Sequence, residues 1–119
     1  MLNLDTHILL FALTGELKKK EKEALSKQQW SISSIVLWEV FKLSQLGKIE
    51  VDVHNSEIVR TLSKIHQWPI DIEICQAIQN LDFRGDPADE IIAATSIVHN
   101  IPLITRDKLI LKSKVVPFV

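Results

Sequence analysis

The chain has 119 residues, 46% of them hydrophobic and 24% charged, and 14 basic against 15 acidic side chains leave a formal net charge of -1. That is the composition of one compact globular domain, and it lacks the whole-molecule positive field of a strongly basic nucleic-acid binder. The single cysteine excludes an internal disulfide and the four histidines show no HxxxH or Cys/His spacing, so there is no zinc signature and a reducing, cytoplasmic setting is expected.

The opening MLNLDTHILLFAL is apolar but broken by Asp5 and His7, with no charged leader or small-residue cleavage site, so it reads as strand then helix. No stretch approaches the roughly 18 apolar residues that cross a bilayer, and no membrane partner is expected. Leu2 to Leu4 is a short buried strand, and Asp5-Thr6 starts a helix over Ile8 to Leu13 that Gly15 closes. Residues 16–29 predict a polar helix with a solvated outer face, since Lys18, Lys19 and Lys20 stand beside Glu21 and Glu23. Trp30 to Ser33 alternates as a second strand, Ser33 or Ser34 caps a helix over Ile35 to Leu46, and Gly47 stops it. After KIEVDV, residues 55–66 and 71–82 read as helices with Trp68-Pro69-Ile70 extended between them. Asp86-Pro87 opens a helix to about His99, and Leu103 to Thr105 and Val115 to Val119 read as two more strands. Strands alternating with helices predict a three-layer α/β/α sandwich around a mostly parallel sheet, with 1–119 as a single domain. Ligands of such sheets bind beyond the carboxyl ends of the strands.

Several acids fall at those ends. Asp5 follows the first strand and Asp107 follows PLITR, and each taken alone suits a helix cap or turn. Glu39 is different, because Ile35, Leu43 and Leu46 place it along an apolar stripe, where an acid needs a partner. Asp86, Asp89 and Glu90 crowd one helix start, which the macrodipole favours; Asp86 is the better cap and Asp89 the better candidate for a shared site. In a parallel sandwich Asp5, Glu39, Asp89 and Asp107 can converge. Four carboxylates together repel unless cations offset them, and an all-oxygen donor set suits Mg²⁺ or Mn²⁺ rather than zinc. Thr6 and Thr105 suit either backbone capping or holding a metal water or phosphate oxygen. Trp30, Trp38 and Trp68 read as core or interface, and His7 and His99 as hydrogen-bonded structural residues.

The segments LDTHILLF, SIVLWEVFKLSQLGKIEV, GDPADEIIAATS and PLITRD resemble, in order and spacing, the motifs of VapC-type PIN-domain toxins over nearly the whole chain. The resemblance implies that the family's four metal-site acids fall on Asp5, Glu39, Asp89 and Asp107, with Asp86 capping or supporting them. Glu90 is a departure, since many relatives carry arginine there, and Arg84 or Arg106 is the candidate to compensate. The resemblance further implies an Mg²⁺- or Mn²⁺-dependent endoribonuclease, a cognate antitoxin as partner and a homodimer. Metal-assisted hydrolysis at such a site leaves 5'-phosphate and 3'-hydroxyl ends. Rival readings are a PIN fold that only binds RNA or protein, an aspartyl-phosphate enzyme and a receiver domain. The phosphatase needs a second Asp two residues after Asp5, where His7 stands, and the receiver needs a lysine after a late strand, where Arg106 precedes Asp107.

Overall fold

The computed structural model describes all 119 residues. In chain order the elements are β1 (Leu2–Leu4), α1 (Thr6–Thr14), α2 (Lys19–Ser26), β2 (Trp30–Ser33), α3 (Ser34–Gln45), α4 (Ser56–Lys64), β3 (His66–Trp68), α5 (Ile72–Ile78), α6 (Pro87–His99), β4 (Leu103–Ile104) and α7 (Lys108–Leu111). Four strands make one parallel sheet in the order β3-β2-β1-β4, with helices as its cover. All three residues of β1 are buried, as a strand covered on both faces requires. The core joins residues from Leu2 to Val116 in one cluster. Gly15 closes α1 at φ 77°, a left-handed turn that glycine adopts without a side-chain clash.

The topology sets the site. From β1 the chain moves to β2 and β3 on one side and later returns to β4 on the other, so β1 and β4 flank the point where the winding reverses. Crevices form beyond the carboxyl ends of strands at such a point. Asp5 and Asp107 leave the sheet there.

Four segments depart from the sequence reading. Residues 55–66 are not one helix: α4 ends at Lys64, and His66–Trp68 forms an edge strand registered with β2 as Ser31↔His66 and Ser33↔Trp68. His66 and Gln67 are exposed, so HQW carries no apolar alternation to announce it. Val115 to Val119 is not a strand either; it contributes one bridge, Leu103↔Phe118, because Pro117 has no N–H with which to extend a ladder. Finally, α2 and α5 are shorter than residues 16–29 and 71–82.

Asn3, which the sequence reading passed over, ties the sheet to α6. Its Nδ2 donates to the Ile92 carbonyl at 3.1 Å and the Ser96 hydroxyl at 2.9 Å, inside the core. Its only advance signal is a polar residue between two leucines in a buried strand. Asn3→Leu removes both bonds, the Ser96 hydroxyl losing its Asn3 donor while the Ile92 carbonyl keeps its place in the helix ladder, so it is expected to cost about 0.5–1.5 kcal/mol in urea unfolding. An unchanged midpoint would show that these bonds carry no net weight.

Candidate active site

Asp5 caps α1 at the end of β1 and is only 4% exposed. Its Oδ1 accepts the Thr6 N–H at 2.7 Å, and its Oδ2 accepts the Thr105 hydroxyl at 2.6 Å. The register Leu4↔Ile104 explains the second bond, since it sets residues 5 and 105 side by side as they leave their strands. The Thr105 hydroxyl also accepts the Asp107 N–H at 3.0 Å. Asp107 caps α7, with Oδ1 taking the N–H groups of Leu109 and Ile110. On the other side, the Thr6 hydroxyl donates to Glu39 Oε1 at 2.5 Å, which fastens a half-buried acid of α3 to the start of α1. Thr6 and Thr105 thus each orient a carboxylate through a charge-assisted bond.

Asp89 lies in the first turn of α6 and is half-buried. Its carboxyl is pushed up to about 6, first by burial and then by the charges of Asp5, Asp107, Asp86 and Glu39, with no hydrogen bond to offset them. The four acids picked out by sequence therefore share one electrostatic neighbourhood. They do not crowd together: no three His, Cys, Asp or Glu side chains are set closely enough to hold an ion between them as they stand. Repulsion among these like charges adds to burial in raising Asp89.

Asp86 sits at the N-cap position of α6, but its side chain makes no capping bond, against the expectation of a cap there. Glu90 reaches back to accept the Gly85 N–H at 3.1 Å. Neither candidate arginine offsets the acids. Arg84 donates to the Leu81 and Phe83 carbonyls, and Arg106 binds both oxygens of Glu21 and lies over the Phe11 ring at 3.9 Å. The cluster keeps its negative potential and offers only oxygen donors, a set that fits hard divalent cations such as Mg²⁺ or Mn²⁺.

The tryptophans divide. Trp30 packs on the core and donates to the Leu25 carbonyl at 2.7 Å, whereas Trp38 is 59% exposed on α3 and outside the core. Trp68 stacks on His99 at 3.9 Å, and the buried His99 Nε2 has no hydrogen-bond partner, contrary to the expected hydrogen-bonded role. His7 is exposed.

A parallel sheet with acids gathered beyond the ends of β1 and β4 defines a class, and the PIN domain family model matches residues 3–114. The chain belongs to the PIN domain family. No curated protein matches it at a significant level. Among solved structures it is similar to a chain of the toxin-antitoxin complex from Klebsiella pneumoniae, at 24% identity and TM-score 0.70, over 94% of this chain and 91% of that one. It is also similar to a chain of VapBC2 from Rickettsia felis bound to a promoter DNA fragment, at 20% identity and TM-score 0.74, over 100% and 98%. A chain of DNA-bound VapBC from Salmonella typhimurium aligns at 17% identity and TM-score 0.75, over 99% and 96%. At these identities the likeness concerns the fold.

Proposed function

We propose that this chain is a single-domain, metal-dependent ribonuclease and the toxin half of a type II toxin-antitoxin pair. One observation carries the nuclease reading: Asp5, Asp107, Asp86 and Glu39 gather around the half-buried Asp89 and, together with its burial, push its pKa up to about 6, a cost that a merely structural helix start has no reason to bear. Asp5, Glu39, Asp89 and Asp107 are the proposed ligands and catalytic acids. Mg²⁺ or Mn²⁺ bound by them would activate water and offset charge on a phosphodiester. Thr105 and Thr6 each orient one of these carboxylates, Asp5 and Glu39, through a hydrogen bond. Asp107 is fixed by two backbone N–H groups, while Asp89, free of hydrogen bonds, is the acid whose charge responds most to what binds beside it. Asp86 adds a further negative charge beside Asp89.

The toxin reading is supported by fold likeness to chains solved within toxin-antitoxin complexes. A cognate antitoxin, a homodimer and a cytoplasmic setting belong to the same proposal. No helix is long and apolar enough to cross a membrane.

The test is cleavage of RNA by the purified chain, freed of any antitoxin. Cleavage is expected with Mg²⁺ or Mn²⁺ and is expected to stop in EDTA. Undiminished cleavage in EDTA, in a preparation whose Asp5→Asn counterpart is inert, would sink the metal mechanism; no cleavage with any divalent ion would leave a binding module.

A further inference from the structure

The lysines that open α2 stand in a different electrostatic setting from the one their sequence suggests. Glu21, which directly follows them in the chain, has a side chain only 13% exposed and is gripped by Arg106, whose Nε and Nη2 donate to its two oxygens at 2.8 and 2.7 Å. That hydrogen-bonded pairing holds the Glu21 carboxyl below the usual carboxylate range, so the pair stays ionised and cancels itself. Glu21 and Arg106 form the chain's one ion pair. Lys18, Lys19, Lys20 and Lys108 are exposed and have no carboxylate partner, and with Thr105 and Arg106 they line an open groove of about 490 Å³. With the Arg106–Glu21 pair cancelled, four cationic side chains remain in this lining and no free carboxylate faces them.

The groove borders the acid cluster. Thr105 lines it and donates to Asp5, and Lys108 directly follows Asp107. An acidic centre repels a polyanion, so a strand whose phosphate is to reach that centre needs fixed positive charge on its flank. Lysines supply this without reading sequence, as point charges that follow a backbone. We propose that this groove carries the backbone phosphates of a single RNA strand to one side of the cut, an inference that rests on the nuclease reading above. An acidic segment of a protein partner would use the same charges. Continuity with the acid cluster favours RNA, because a phosphodiester seated at Asp5 leads its neighbouring phosphates past Thr105 toward Lys108 and Lys20.

Lys19→Gln/Lys20→Gln/Lys108→Gln, placed in the Asp5→Asn chain so that RNA is bound without being consumed, tests this with a short labelled single-stranded oligoribonucleotide titrated over a range of KCl concentrations. Three lost phosphate contacts are expected to make the slope of log affinity against log salt shallower by about 2, and to weaken binding at low salt by more than about 10-fold. Lys27→Gln/Lys48→Gln/Lys64→Gln, which removes the same charge elsewhere, is expected to leave the slope unchanged. An unchanged slope in the groove variant, or an equal fall in the control, would overturn the proposal. So would unaltered RNA binding together with weakened hold on a protein partner, which would assign the groove to that partner. Binding is read without cleavage, so an inactive wild-type chain would end the nuclease reading while leaving this slope to be judged separately.

Discussion

Asp5→Asn is expected to lower RNA cleavage by more than about 100-fold while the chain stays folded. Asparagine is the same size, and its oxygen can keep the Thr6 N–H that Asp5 Oδ1 now accepts. Its amide can donate to the Thr105 hydroxyl, whose proton is free to turn away, so the bond across β1 and β4 reverses direction rather than disappearing. Charge is the one thing lost. Replacing a residue that only orients a metal ligand already costs about 10–100-fold in affinity or activity, so a ligand itself should cost more. Initial rates at saturating Mg²⁺, with circular dichroism to confirm the fold, measure this. Retention of activity within about 10-fold of wild type would place Asp5 outside the chemistry.

The second large effect is a reversal of stability order at Asp89. Its folded pKa of about 6 lies above the ordinary value of 3.8, because burial and then Asp5, Asp107, Asp86 and Glu39 disfavour its charge. A raised folded pKa means that the native state holds the proton more tightly than the unfolded chain. The resulting stability is complete below about pH 4 and is lost as pH climbs through about 6. At pH 7 in EDTA the ionised carboxylate is then a burden on the order of 1 kcal/mol, once screening of this half-exposed group is allowed for. Asp89→Asn removes that burden and should melt no lower than wild type, and by up to about 4 °C higher. At pH 4 the advantage should vanish. Mg²⁺ at about 100 times its dissociation constant adds roughly 2.7 kcal/mol to a protein that binds it only when folded, and the variant should gain much less. Were Asp89 only part of a helix start, its replacement would cost about 0.5–2 kcal/mol with and without metal alike.

How much of this was legible in the sequence depended on what each residue had to do locally. Strand β1, the cap at Asp5, helix α3 and the Pro-initiated helix α6 all carry their signals within a few residues, and the structure places them as read. Glu39 stood out because an acid on an apolar stripe needs a partner, and Thr6 supplies it. What the sequence hid were features set by distant neighbours. Strand β3 is polar and exists because β2 offers it an edge, while Val115 to Val119 has strand composition but a proline where a ladder needs a donor. The fate of Arg106 was equally invisible, since Glu21 lies 85 residues away in the chain; that pairing turns a mixed-charge helix into a basic groove. Asp86 shows the opposite case, a residue of the right type at the cap position whose side chain makes no capping bond.

Asp5, Glu39, Asp89 and Asp107 are proposed to hold divalent metal together. Titration of the purified chain with Mn²⁺, with free ion counted by electron paramagnetic resonance, tests it without relying on any substrate. Saturable binding is expected to the wild-type chain, weakened by more than about 10-fold in Asp5→Asn and in Asp89→Asn, with Mg²⁺ competing for the same site. Equal Mn²⁺ binding by wild type and both variants, or none by wild type, would contradict the account.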